Sequence, residues 1–498
     1  MSKTGTKVVK NASFLLISQV ATWTFTLVLT VFLGRYLGAE QGGEYTIAYS
    51  LWTIVGVFIT FGMDTLLTKE IARAPERTSE LLGTSIVARV LLYICSWGIV
   101  ALYVYLRHFS AHMAILIGIV GVAQLFMQIY AATQAAFQGL ELMQYISISS
   151  IASRLTNTVL GITVLVLGYG VYGYAIITIV TVLTGLLLQL FYMRRYYTFK
   201  LAFNRREMWK IMRAGLPYLV SGLGLVAYGQ VDVLIISSLV DTTQVGWYGY
   251  ASRLFSTFMF FPVIFSAAVF PALTRTYTSA SDSLPVIMRK SFDLMLVLSV
   301  PIGLGLLVVA NQLAVLLYGP DLAEVGPILG LMGIVLIPTY QNILLGQFLT
   351  STDRQNAWTV VIIVATVLTI PLDIVLVPWC QQIFGNGAMA GSLSFLITEL
   401  GMVAVGIALL PKGSLSRANV AVGARVLCAG LAMAAGAWWV RNLFIVVPVF
   451  VGAAIYIALI LALRVLPSED IALIKQFGQR GMQRLRRRGD APATIEGV

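Results

Sequence analysis

Apolar residues in this 498-residue chain come in long runs, separated by short polar stretches that carry most of its charge. A helix needs about 20 mostly apolar residues to cross the hydrocarbon core of a bilayer. That length marks fourteen runs, near 12–33, 45–68, 83–106, 113–137, 145–167, 171–193, 215–238, 246–271, 291–310, 325–350, 357–379, 387–410, 420–439 and 443–464. The pattern predicts an all-α polytopic membrane protein, each span satisfying its backbone polar groups internally. Connections on one side are short, the longest being the sixteen residues 311–326. On the other side the longest is 194–214, where Met208 and Trp209 among charged residues predict a helix lying on the membrane surface.

Composition narrows the class. The chain is 58% hydrophobic and 11% charged, against about 45–50% and 25% in soluble domains. This excludes a cytosolic enzyme, a nucleic-acid binder and a disordered chain. The net charge of +12 then reports orientation. With the amino terminus in the cytoplasm, inside segments collect 26 Lys and Arg, whereas outside loops hold three, Arg35, Arg107 and Arg441. Such asymmetry predicts both termini inside and an even number of spans in the cell membrane. Cys95, Cys380 and Cys428 stand singly within apolar runs and offer neither a disulfide framework nor a metal cluster. No cleavable signal peptide is expected, because the first run is span-length and lacks a small-residue cleavage site.

The chain repeats itself. Gln41-x-Gly43-x-Tyr45-x-x-Ala48-x-x-Leu51 recurs as Gln244-x-Gly246-x-Tyr248-x-x-Ala251-x-x-Leu254, at an offset of 203 residues. Both copies fall between an outgoing and an incoming span, so the repeats are parallel and imply an axis along the membrane normal. The division expected is 1–200 with spans one to six, 201–412 with spans seven to twelve, an extra helix pair in 413–466, and a basic cytoplasmic tail, 467–498.

Several motifs resemble the multidrug/oligosaccharidyl-lipid/polysaccharide exporter superfamily, and within it the polysaccharide-biosynthesis or O-antigen-type flippases. They are Phe32-Leu33-Gly34-Arg35-Tyr36-Leu37-Gly38, Gly43-Glu44-Tyr45, Phe61-Gly62-Met63-Asp64 and Lys69-Glu70-Ile71-Ala72-Arg73 in the first half. Gly215-Leu216-Pro217-Tyr218, Gln230-Val231-Asp232, Gly246-Trp247-Tyr248 and Phe270-Pro271-Ala272-Leu273-Thr274-Arg275 follow in the second, with Gly387-Ala388-Met389-Ala390-Gly391 a looser match. The resemblance implies two pseudo-symmetric six-helix lobes facing one another in a V. It also implies alternating access for a polyprenyl-pyrophosphate-linked oligosaccharide, with no covalent chemistry and no cofactor beyond a candidate sodium ion. Expected partners are that lipid-linked sugar, membrane lipids and polysaccharide-assembly proteins, with no nucleic acid; the chain is expected to be a monomer. A cation-coupled multidrug exporter of the same superfamily is the nearest competing reading. A membrane glycosyltransferase or polysaccharide polymerase is a more distant one, since the outside loops are too short for a catalytic segment.

Ionisable groups inside spans are costly and usually face an interior or a wet cavity. Arg89 and Arg425 lie about 8–9 Å from their inner span ends, within reach of the membrane surface along their stems. Arg154 is about 13 Å deep in span five. Arg253 falls within the second copy of the repeat, where the first has Ser50. The resemblance to lipid II flippases gives Arg253 the place of an eighth-span arginine that receives pyrophosphate, although span one has no arginine. A guanidinium suits a diphosphate through its planar, permanently charged fork; the alternative for Arg253 is a salt bridge between helices. Arg154, Ser50, Gln19 and Tyr248 complete the candidate substrate-binding set. Among the acids, Asp64 is expected to pair with the nearby basic loop. Asp232 and Asp373 share one depth, about 24–26 Å from their inner ends, with Thr369 one turn before Asp373 and Ser394 at a similar level. The same resemblance implies a sodium site here, built from Asp232, Thr369, Asp373 and Ser394; otherwise the aspartates neutralise Arg253. Glu399, at mid-membrane in span twelve, is a candidate proton carrier. His108 and His112 have no third ligand for a metal, and Gly222-x-Gly224-x-x-Ala227 lies within a span, outside any dinucleotide-binding context.

Overall fold

The computed structural model describes residues 3–196, 203–278, 284–411 and 413–465. In chain order the helices are α1 (Lys3–Thr60), α2 (Met63–Arg73), α3 (Thr78–Leu106), α4 (Ala111–Gly139), α5 (Met143–Val166), α6 (Gly170–Tyr196), α7 (Arg205–Tyr228) and α8 (Val231–Leu239). They continue with α9 (Thr242–Phe258), α10 (Phe260–Thr278), α11 (Leu284–Tyr318), α12 (Val325–Ser351), α13 (Gln355–Phe384), α14 (Met389–Leu409), α15 (Arg417–Trp439) and α16 (Val446–Ala462). Eleven helices among the described residues are long and apolar enough to cross a membrane.

The differences from fourteen have local causes. The first two expected spans run together as α1, with a corner at Gly38, whose φ of 68° is one that glycine adopts without strain. A second corner follows at Phe61 and Gly62, both at positive φ. The eighth expected span is divided between α9 and α10, and the fourteenth is α16, of 17 residues. Span seven is also interrupted, with Gly229 and Gln230 between α7 and α8.

Three expectations are corrected by side-chain contacts. Residues 205–214 form no separate surface helix. Asn204 caps the backbone N–H groups of Arg206 and Glu207 and starts α7 directly, so Met208 and Trp209 occupy its first turns. Residues 197–202 and the tail 467–498 lie outside the described residues. Arg89 does not reach for the surface: it is fully buried. Its guanidinium donates to Asp64 at 2.5 Å, to the Gln128 carbonyl at 3.0 Å and to Ser85 at 3.3 Å. Asp64 pairs inward with Arg89, because α2 leaves the Gly62 corner alongside α3 and α4.

The repeated motif packs against itself. A Cβ on Gly43 would strike the carbonyl oxygen of Thr242, and one on Gly246 would strike that of Ala39. Because 242 and 246 are 39 and 43 advanced by 203, these contacts are reciprocal, as across a two-fold axis. The glutamines correspond as well. Gln41 Oε1 accepts from the backbone N–H of Val171 at the start of α6, at 3.1 Å. Gln244 Oε1 accepts from that of Gly387, just before α14, at 2.8 Å. Ala48, Leu51, Ala251 and Leu254 are buried together in one core. At the same end of the bundle, Arg35 donates to the carbonyls of Leu316 and Leu317 and Arg107 to that of Ser237, each at 2.7 Å. These are last-turn carbonyls of α11 and α8, groups that have no partner within their own helices and favour a cation.

Candidate functional site

A cavity of about 500 Å³ lies between the two motif copies. Both arms of α1 line it, with α5, α6, the α7–α8 break and α9. Arg253 and Arg154 both face it, as do Ser50 and Tyr248. Gln19 does not: it is exposed on the first arm of α1 and is absent from the cavity wall. Arg425 is exposed elsewhere, on α15.

Arg253 makes no ion pair among the described residues; its guanidinium sits over the ring of Tyr45, 5.5 Å from the centroid. Tyr45 meets Tyr174 edge-on, with centroids 5.0 Å apart. A cation on an aromatic face keeps its N–H donors free for an anion. Tyr45, Tyr49, Tyr174, Tyr228 and Asn157 also line the cavity; being neutral, they do not stand out from their spans by charge. One signal was present, since Tyr45 and Tyr248 are matched positions of the repeat.

Neither aspartate forms an ion pair with Arg253 among the described residues, although Asp232 lines the same cavity. Asp232 is buried and accepts from Tyr248 Oη at 2.8 Å. Asp373 is buried and accepts from Ser394 Oγ at 2.5 Å. The two carboxyls are close enough to influence one another, and Asp232 Oδ1 and Asp373 Oδ2 have no hydrogen-bond partner. Two facing carboxyls with orphaned oxygens need a cation or a shared proton between them, because buried charge is costly unless compensated. Thr369 is buried beside them on α13, its hydroxyl turned to the Ala365 carbonyl at 3.0 Å. The oxygen-only set of Asp232, Asp373 and Ser394 fits a hard monovalent cation. Glu399 lies in another cluster, with Tyr228 Oη at 3.1 Å and Asn342 Nδ2 at 2.7 Å.

A many-helix membrane fold around a cavity that bears Arg253, Arg154 and Asp232 is compatible with a membrane transporter, the class that the known relatives support. The solved structures agree in fold. An inward closed conformation of the lipid II flippase MurJ superposes with a TM-score of 0.71 at 16% identity, covering 89% of this chain and 97% of that one. An inward-facing MATE-family multidrug resistance transporter of the MOP superfamily gives 0.63 at 15% identity, covering 78% and 94%.

Sequence comparison places the chain more narrowly. Residues 8–277 match the polysaccharide biosynthesis protein family, to which this chain belongs, and residues 217–375 match the MatE family. The probable low-salt glycan biosynthesis flippase Agl15 of Haloferax volcanii is 21% identical over 380 residues, 74% of this chain and 77% of that protein. The probable flippase AglR of the same organism is 24% identical over 217 residues, covering 42% and 44%.

Proposed function

We propose that this chain is a flippase that moves a polyprenyl-pyrophosphate-linked oligosaccharide from the cytoplasmic to the outer leaflet. One observation carries the reading: two arginines without acidic partners among the described residues, Arg253 and Arg154, face a single cavity. In that role their guanidiniums hold the diphosphate, and the tyrosines and Asn157 contact the sugar. Flippase names among the relatives support this cargo class. The proposed architecture is two six-helix lobes, 1–200 and 201–412, in a V, with the pair in 413–466 added. It has fourteen spans and both termini cytoplasmic. In this reading the merged helix α1, the divided pair α9 and α10, and the short helix α16 supply the three spans beyond the eleven long apolar helices.

Alternating access then opens the cavity to one leaflet at a time. Asp232, Asp373 and Ser394, with Thr369 behind, are the proposed sodium-binding residues; a bound cation would neutralise the facing carboxyls. The function is tested with reconstituted protein and a fluorescent lipid-linked oligosaccharide. Wild type should expose it to the opposite leaflet, and Arg253→Ala should impair this. Transport of cationic drugs with none of the glycolipid would overturn the reading in favour of a multidrug exporter.

A further inference from the structure

Glu399 belongs to neither the arginine cavity nor the aspartate pair. It is buried in α14, and its carboxylate accepts only from neutral donors, Tyr228 Oη at 3.1 Å and Asn342 Nδ2 at 2.7 Å. The same Asn342 amide donates to the Glu399 carbonyl at 2.8 Å. Thr398 is 3.0 Å from Tyr228 Oη, and Thr339 of α12 stands close by. Among the described residues no basic side chain forms an ion pair with Glu399. The titratable groups facing this cluster are Tyr228 from α7 and, beyond it, Asp232 from α8. Asp373, from α13, bonds Ser394, five residues along α14.

The donor set decides the ligand. No cluster of three or more acidic, histidine or cysteine side chains surrounds Glu399 among the described residues, and each of its oxygens already accepts from an N–H or O–H donor, a set that suits a proton better than a metal ion. An ionised carboxylate buried without a counter-charge costs several kcal/mol. A proton removes that cost, and the O–H it creates has an acceptor waiting: Asn342 Oδ1 is buried without a partner. Rotation of the amide, which gives up its bond to the Glu399 carbonyl, presents that oxygen to the acid.

Tyr228 carries the effect to the cavity. It is the last residue of α7, directly before the break at Gly229, and it lines the cavity wall. We propose that Glu399 is a proton-binding site whose occupancy sets the hold on Tyr228 and so links proton uptake to cargo binding. While ionised, Glu399 holds the tyrosine hydroxyl by a charge-assisted bond, about twice as strong as a neutral one. Once protonated it loosens that hold, and the hydroxyl can turn to an anionic ligand. The link, though not the proton site, rests on the flippase reading.

Two measurements on the purified full chain test this. Infrared difference spectra between neutral and acidic pH should show a protonated-carboxyl band that Glu399→Gln removes and Tyr228→Phe keeps. Wild type should bind a polyprenyl diphosphate probe about tenfold more tightly at the acidic end, one pH unit of linkage. Both variants should lack that gain. A band unchanged in Glu399→Gln would overturn the proton site, and a pH dependence surviving in Tyr228→Phe would overturn the link. If Glu399→Gln does not fold, Tyr228→Phe, which removes only a hydroxyl, decides the link. Probe binding at no pH would sink the flippase reading and the link with it, while a titrating band that Glu399→Gln removes would still support the proton site.

Discussion

The stretches 41–51 and 244–254 share a scaffold and differ in chemistry. In both, a glutamine holds the start of a later helix, a glycine lets two backbones cross, and an alanine and a leucine fill the core. The chemistry is one-sided. Arg253 stands where the first copy has Ser50, and Tyr248 bonds Asp232 whereas Tyr45 lies under Arg253. At the same offset of 203, Leu29 occupies the place of Asp232, and α1 runs unbroken there while its counterpart stops at Gly229. Backbone crossings tolerate few residue types, so they stay matched; cavity-facing side chains are bounded by open space and can diverge.

The largest test of this contrast exchanges the unmatched pair. Arg253→Ala should weaken binding of a polyprenyl diphosphate by about 10–100-fold, the worth of a charge-assisted hydrogen bond, while Ser50→Ala changes it little. Equal losses in a binding titration would break the contrast. The matched glycines should behave alike. Gly43→Ala and Gly246→Ala should each cost about 1–3 kcal/mol, as overpacking does, read as equal falls in thermal midpoint. A smaller effect follows at the glutamines, where Gln41→Ala and Gln244→Ala should each cost about 1 kcal/mol, one buried hydrogen bond. The finest test uses the tyrosines: sodium should raise the thermal midpoint in wild type and in Tyr45→Phe, but less in Tyr248→Phe. The sodium shift should vanish in Asp232→Asn and Asp373→Asn; its persistence in both would remove the cation site.

Hydropathy predicted an all-α membrane chain, in keeping with eleven long apolar helices among the described residues, because crossing a bilayer demands length and apolarity, which are additive along a chain. It passed over the corners at Gly38 and Phe61–Gly62 and the break at Gly229, since one or two residues at unusual φ leave no dip in an apolar run. Depth along a helix likewise said nothing about which face a residue occupies. Depth alone puts Arg89 within reach of the surface, yet it lies on the face turned toward Asp64 and Gln128. Gln19, by contrast, is exposed and takes no part in the cavity wall. Arg253, Arg154, Ser50 and Tyr248 were legible through charge and repetition. Tyr174, Tyr49 and Asn157 were not, because neutral polar residues are affordable at many places in a span and only the fold shows which share a cavity.

The crossing at Gly43 and Gly246 also bears on descent. Residue 43 meeting 242 while 246 meets 39 is the contact table of a homodimer, in which one patch is its own partner. In a dimer of half-length chains every substitution appears twice, so position 50 could not have become arginine on one side only. A single polypeptide carrying both copies is free of that constraint, and an unequal cavity, arginine on one wall and serine on the other, is the asymmetry it permits.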